Sequence, residues 1–130
     1  MIQRVHDMIG RTATTLLKSS ITNTRQKITY PRTNKPQIES MLITIAPGGQ
    51  SSWHLHPVPT FVYVLQGTVL VQNEGTPSLR YRAGTAFLEA TNTWHNAKNL
   101  GKRPLKLLLV YTGEQGKPNL IRPDKQARYP

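Results

Sequence analysis

Glycine and proline divide this chain into short segments, and that punctuation restricts its fold more than any other feature. Strong turn signals stand at Ala46-Pro47-Gly48-Gly49, at Asn73-Glu74-Gly75 and at Ala83-Gly84. The runs between the turns are rich in β-branched and aromatic residues, and no sustained period of 3.6 residues accompanies them. The pattern therefore predicts an all-β protein, built as an antiparallel sandwich or barrel.

Several of these runs have the length and composition of β-strands. They cover residues 27–30, 37–45, 53–56, 61–65, 68–72, 79–82, 85–89, 105–111 and 119–121. The turn at 73–75 predicts a β-hairpin. The most apolar run, 105–111, is predicted to be a central strand that is buried on both faces. Residues 12–17 fit either a short strand or a helical turn, and the pattern does not decide between them.

The length of 130 residues predicts one domain that can bury a core of its own. The chain has no cysteine, which removes disulfides and thiolate ligands. No apolar run reaches the roughly 20 residues of a membrane span. The first twenty residues carry charges, including Arg4, Asp7 and Arg11, where a signal peptide needs an apolar core. We therefore expect a cytoplasmic protein with no membrane partner.

The net charge of +11, from 17 Lys+Arg against 6 Asp+Glu, first suggests a nucleic-acid partner. The basic residues are, however, confined to residues 4–35 and 80–128, and none lies between 36 and 79. The sequence also has no recognition helix and no aromatic residues interleaved with basic ones. The charge is therefore interpreted as a basic surface, and nucleic acid is not the expected partner.

Three of the four histidines lie in two similar contexts, Trp53-His54-Leu55-His56 and Trp94-His95. Residues two apart on a strand project from the same face, so His54 and His56 can reach one metal ion. The fourth, His6, is interpreted as a surface residue. Without cysteine, histidine is the only strong nitrogen or sulfur ligand type available. The pair alone is a moderate signal, because buried histidines often only satisfy backbone groups.

The spacing around these histidines matches a known pair of motifs. The first motif comprises Gly48, His54, His56, Thr60 and Gly67, and the second comprises Gly84, Ala90, Asn92, His95 and Asn99. Both follow the two motifs of the cupin superfamily in register, with departures at Thr60, Ala90 and Asn92. The chain resembles a small single-domain cupin of the quercetin-dioxygenase-like type from about residue 41 to residue 112.

This resemblance implies a double-stranded β-helix, the jelly-roll barrel of cupins, over residues 36–122. Residues 1–35 would form a polar N-terminal segment that adds strands to the barrel or to a dimer partner, and residues 123–130 would form a tail. The resemblance also implies a homodimer that binds a small-molecule ligand.

The resemblance further implies that His54, His56 and His95 converge on a divalent transition metal. Imidazole suits Fe, Mn, Ni, Cu and Zn, so the sequence does not choose among them. Most metal-binding cupins place a glutamate where this chain has Thr60. Three neutral imidazoles would leave the ion with its full +2 charge and favour an anionic ligand. Thr60 is then expected to bond a ligand of the metal rather than the metal itself.

Another carboxylate could replace the missing glutamate, and Glu89, in the apolar context Ala-Phe-Leu-Glu-Ala, is the best placed. The alternative is that Glu89 faces solvent or pairs with a surface arginine. Strand alternation places Val62 and Val64 on the inner face with Thr60, which predicts an apolar pocket. Trp94 is a candidate for the mouth of that pocket, with core or interface packing as the alternative.

Two classes of function fit these features. The first is a mononuclear metal-dependent oxygenase, or another small cupin enzyme, that acts on a small anionic organic substrate. The second is a non-catalytic module that binds or senses a small molecule or metal. One fold hosts both classes, and no residue is assigned a catalytic role.

Overall fold

The computed structural model describes residues 3–123, with side chains from residue 9 onwards. Within these residues the regular structure is entirely β, and the strands run in the following order. They are β1 (Gln3–Met8), β2 (Arg11–Thr15), β3 (Pro36–Ile45), β4 (Thr60–Gln66), β5 (Thr68–Asn73), β6 (Leu79–Arg82), β7 (Ala86–Leu88), β8 (His95–Asn99) and β9 (Leu105–Glu114). The described part of the chain has no helix long and apolar enough to cross a membrane.

Two antiparallel sheets form the barrel. The larger has the strand order β3-β9-β4-β7, and the smaller has the order β6-β5-β8. Alternate residues of β4, β5 and β9 point between the sheets, and valines and leucines from all three strands form one buried cluster. This architecture confirms the predicted antiparallel, all-β jelly roll, and the hairpin between β5 and β6 forms at residues 73–75 as predicted.

Strand β9 is central, since it pairs with β3 on one side and with β4 on the other. The prediction that it is buried on both faces is wrong. Leu105, Leu107, Leu109 and Tyr111 are buried, whereas Lys106 between them is exposed. The run looks continuous in sequence because leucine and valine also occupy its outer face, which is partly buried.

Three predicted strands are not strands in the structure. Residues 53–56 and 119–121 form only isolated bridges, and residues 27–30 form a single bridge at Lys27. A side-chain network holds the loop just before residues 27–30. Thr22 Oγ1 accepts bonds from the backbone N–H groups of Thr24 and Gln26, and the Gln26 amide bonds to the backbone of Thr91.

The open choice for residues 12–17 is resolved as a strand, because β2 pairs with β1 in a hairpin. Among the described residues these two strands form a separate two-stranded sheet. Their addition to a dimer partner, and the division of the chain at residues 35 and 122, stay predictions. The side chain of His6 and residues 124–130 lie outside the described residues.

Asn99 is the last residue of β8, at the opposite end of that strand from His95. Its side chain joins the turn that follows Ile45 to the turn at residues 99–104. Its amide nitrogen donates to the carbonyls of Ile45 (2.9 Å) and Arg103 (2.7 Å), and its Oδ1 accepts from the N–H of Gly101 (2.9 Å). The side chain is 1% exposed. The amide nitrogen thus donates two hydrogen bonds and the amide oxygen accepts one, all to the backbone of these two turns.

The Asn99→Ala substitution is expected to lower the free energy of unfolding by about 3 kcal/mol, because it removes three hydrogen bonds and leaves the Ile45 carbonyl without its side-chain donor. Urea unfolding measures the change. The matched control is Asn34→Ala on the exposed loop before β3, which should cost less than about 0.5 kcal/mol. Equal effects at the two positions would contradict a structural role for Asn99.

Candidate metal centre

The three predicted metal ligands come together inside the barrel. His54 and His56 lie in the extended segment before β4, and His95 is the first residue of β8. Two backbone hydrogen bonds join His54 to His95, at 3.0 and 2.9 Å. The pairwise ring centroids are 4.6 to 5.0 Å apart. One ring nitrogen from each histidine lies within 4.8 Å of the other two, which is the spacing of a group able to hold one metal ion.

The protonation state of these rings follows from their backbone contacts. Nδ1 of His54 lies 2.6 Å from the Ser52 carbonyl, Nδ1 of His56 lies 2.9 Å from the Asn119 carbonyl, and Nδ1 of His95 lies 2.9 Å from the Thr93 carbonyl. A carbonyl oxygen only accepts, so each Nδ1 must carry the proton and donate it. In the neutral form of each ring, Nε2 then presents its lone pair to the centre, as in metal-binding histidines.

Glu89 follows β7 and points into the same centre. Its side chain is almost completely buried, and Oε2 lies 3.0 Å from Nε2 of His56 and 3.4 Å from Nε2 of His95. Both Nε2 atoms are buried, and they have no hydrogen-bond partner as long as neither carries a proton. A carboxylate oxygen that faces two unprotonated nitrogens is repelled by their lone pairs. The arrangement therefore requires a positive charge between these atoms, either a metal ion or added protons.

Without an ion, protons carry this charge. Burial alone would raise the pKa of the Glu89 carboxyl, but the positive charge of His95 and bonds from His56 and His95 hold that pKa well below its usual range. Burial lowers the pKa of His95, and the Glu89 carboxylate outweighs it and raises the pKa. Burial and the neighbouring His95 lower the pKa of His54 to about 4. Glu89 is thus ionised and His54 neutral at physiological pH, which is the state each needs as a ligand.

Thr60 occupies the position of the glutamate of metal-binding cupins, but its hydroxyl does not face the cavity beside the histidines. The side chain is fully buried, and Oγ1 donates to the Val58 carbonyl at 3.0 Å. Its carbonyl accepts the N–H of Glu89 at 2.9 Å, so the two residues are neighbours across adjacent strands. The expectation that Thr60 bonds a ligand of the metal stays a prediction.

His54, His95 and Glu89 line a cavity of about 240 Å³. Its other walls are mostly apolar, and its outer part is formed by residues after β9. The lining comprises Ile43, Ile45, Ser51, Ser52, His54, Val62, Glu89, His95, Ala97, Leu107, Leu109, Tyr111, Leu120 and Arg122. Val62 lines the cavity, whereas Val64 lies deeper in the core and Trp94 is half-buried outside the lining.

Sequence reasoning did not single out Tyr111, Leu120 or Arg122 as cavity residues. Strand alternation could have found Tyr111, because it shares a face with Leu107 and Leu109. The Tyr111 ring lies 5.1 Å from that of His56, and burial together with the Glu89 and Glu39 charges raises its pKa. The phenol therefore stays protonated. No local signal marks Leu120 and Arg122, since the segment that carries them reaches the cavity through long-range contacts.

The loop before His95 keeps its shape despite the departures from the second motif. Asn92 adopts a φ of 54°, the left-handed conformation that asparagine tolerates better than most residues other than glycine. Its N–H donates to the His56 carbonyl at 2.8 Å. Ala90 is buried next to Glu89. The substitutions at these two positions are thus compatible with a loop that delivers His95 to the first pair.

Comparison with known proteins places this architecture in a family. A model of the cupin domain matches residues 41–111. Comparison with curated protein sequences finds no match. Among solved structures, the DMSP lyase DddQ from Ruegeria pomeroyi is 18% identical in sequence, with a TM-score of 0.59. The alignment covers 70% of this chain and 45% of the lyase.

Two further structures are similar. A Bacillus halodurans protein is 28% identical with a TM-score of 0.55, and 65% of this chain covers 69% of it. Oxalate decarboxylase from Bacillus subtilis is 24% identical in sequence, with a TM-score of 0.54. The alignment covers 59% of this chain and only 22% of that enzyme. The lyase and the decarboxylase thus support the fold alone. With the cupin model matching more than half of its residues, this chain belongs to the cupin domain family.

Proposed function

We propose that this protein binds one divalent transition metal ion through His54, His56 and His95, and that the ion acts on a small organic anion in the adjoining cavity. The observation that carries the proposal is the convergence of the three histidines beside the buried Glu89 carboxylate. Because every Nδ1 already donates to a carbonyl, the Nε2 atoms are the ring nitrogens that can bind a metal ion.

Glu89 supplies the carboxylate that most metal-binding cupins place at the position of Thr60. The distances of 3.0 and 3.4 Å from Oε2 to Nε2 of His56 and His95 place this carboxylate beside the group of three histidines. With this carboxylate, a divalent ion keeps a net charge of +1 instead of the +2 expected from three histidines alone. The centre still favours anions, although less strongly.

The donor set of imidazole nitrogens and one carboxylate oxygen suits Fe, Mn, Ni, Cu or Zn. One structure of the Bacillus subtilis oxalate decarboxylase concerns its Mn(II) centres, so this fold accommodates such an ion. When bound, the ion supplies Lewis-acid chemistry and, if it is redox-active, electron-transfer chemistry.

The residues of this chain position the substrate and exclude water. Val62, Leu107 and Leu109 provide apolar walls that strengthen electrostatic interactions at the centre. Tyr111 keeps its proton and can donate a hydrogen bond towards a group held near His56. The most specific form of the proposal is a mononuclear metal-dependent oxygenase. A homodimer and a cytoplasmic location stay predictions.

Elemental analysis of the untagged protein tests the proposal. After growth in medium supplemented with the candidate metals, we expect about one equivalent of a single transition metal per chain. The metal-loaded protein should then consume oxygen with at least one member of a panel of flavonols, diketones, thiols and aromatic acids. A metal content below about a tenth of an equivalent would contradict metal binding. Metal without turnover, but with thermal stabilisation by a panel compound, would identify a binding module instead.

A further inference from the structure

The segment after β9 crosses the mouth of the metal cavity. Ile121 pairs with Leu55, the residue between the two histidines, through backbone bonds of 2.9 and 3.0 Å. The Asn119 amide donates to the Glu39 carboxylate on β3 at 2.9 Å. Residues 119–122, which we call the strap, are thus attached to two separate parts of the barrel.

The strap holds one of the ligands. His54 and His95 each donate Nδ1–H to a carbonyl two residues earlier in the chain, at Ser52 and Thr93. His56 differs, because its acceptor is the Asn119 carbonyl, 63 residues away. The tautomer and orientation of His56 therefore depend on the docking of the strap, whereas those of the other two rings are set locally.

The strap also supplies two side chains to the cavity. In an extended segment alternate residues share a face, and Leu120 and Arg122 line the cavity while Ile121 does not. Both residues are also exposed to solvent, so we place them at the mouth of the cavity. The cavity thus combines the proposed metal ligands, apolar walls and the cationic residue Arg122.

We propose that the strap is the specificity element of this site, selecting organic anions that bind the metal at one end and carry a carboxylate that Arg122 binds at the mouth. The proposal rests on the metal centre proposed above. Guanidinium groups recognise carboxylates through paired hydrogen bonds, and the apolar walls fit a short hydrocarbon spacer between the two ends. Leu120 contacts that spacer, and Asn119 keeps His56 in its ligating orientation.

The test uses Co(II) as the metal, because thiolate binding to it produces a charge-transfer absorption band. The probes are mercaptocarboxylates with spacers of two to five carbons, each compared with the alkanethiol of equal length. At one or more lengths, we expect the acid to bind the Co(II) protein about fivefold more tightly than its neutral counterpart. Arg122→Gln should remove this preference without changing the Kd of the alkanethiol. The control Lys102→Gln removes the same charge from an exposed turn and should preserve the preference.

Four results would overturn the proposal. The first three are equal binding of acids and alkanethiols of every length to the wild-type protein, a preference that survives in Arg122→Gln, and an equal loss of the preference in Lys102→Gln. In these cases Co(II) still binds, so the metal centre stands and the strap loses its role in recognition. If the wild-type protein does not bind Co(II), the proposed function fails as well.

The positioning role is tested by Ile121→Pro, which removes the N–H that donates to the Leu55 carbonyl. We expect the affinity for Co(II) to fall about tenfold, because His56 loses a firmly held acceptor. Ile121→Ala keeps the N–H and should stay within twofold of wild type. Equal Co(II) affinities in the proline variant and the wild type would refute this role. If the proline variant does not fold, the Arg122→Gln measurement decides the proposal.

Discussion

Replacement of His54, His56 and His95 together by alanine is expected to reduce the metal content from about one equivalent to less than a tenth. The three ring nitrogens are the only neutral donors in the cluster, and Glu89 alone cannot hold a transition metal against water. Metal should also stop stabilising the protein. Saturating metal at 1,000 times its Kd adds about 4 kcal/mol to the stability of the wild-type protein, and this gain should vanish in the variant.

Elemental analysis and thermal unfolding with and without added metal measure these two effects. The matched control is His6→Ala, which removes the one histidine outside the two sequence motifs and should keep both the metal and the stabilisation. A triple variant that still binds one equivalent would place the metal elsewhere in the chain. Such a result would remove the basis of the proposed function.

Local spacing predicted only part of the histidine cluster. The spacing of two along an extended segment brings His54 and His56 to one face, whereas the inclusion of His95 came from the resemblance to the paired cupin motifs. The barrel was predictable, since turn residues and strand composition act within a few residues. The segment 27–30 was wrongly predicted as a strand because strand composition does not show whether a partner strand is present, and the segment forms only one bridge, at Lys27.

The environment of Glu89 was not predictable from its sequence context. An acidic residue in an apolar strand fits both a solvent-facing and a buried position, and its position depends on the pairing of β4 with β7. That pairing sets Glu89 beside Thr60, at the ligand cluster. The strap depends on contacts of still greater sequence separation, from His56 to Asn119 and from Leu55 to Ile121. Such contacts leave no mark in the local pattern of residues 119–122.

Glu89→Gln is expected to lower the affinity for divalent metal by about 100-fold. Glutamine keeps the shape of the side chain but replaces an anionic oxygen, 3.0 Å from a histidine nitrogen, by a neutral amide. Competition with a fluorescent chelator gives the affinity directly. Glu74→Gln at the exposed tip of the β5–β6 hairpin makes the same charge change away from the cavity and should leave the affinity unchanged.

An exchange of the two neighbouring residues separates a ligand from a merely nearby charge. The double variant Thr60→Glu with Glu89→Thr returns the carboxylate to the position that most metal-binding cupins use, and it conserves the total side-chain volume at two buried sites. Because Thr60 and Glu89 are joined by a 2.9 Å backbone bond, the new carboxylate starts from the adjacent strand and should recover at least tenfold of the lost affinity. Wild-type affinity in Glu89→Gln would show that the carboxylate is not a ligand. A loss of affinity in Glu89→Gln that the exchange does not recover would show that the metal needs the carboxylate at position 89. Moving the carboxylate to position 60 would then have reshaped the centre.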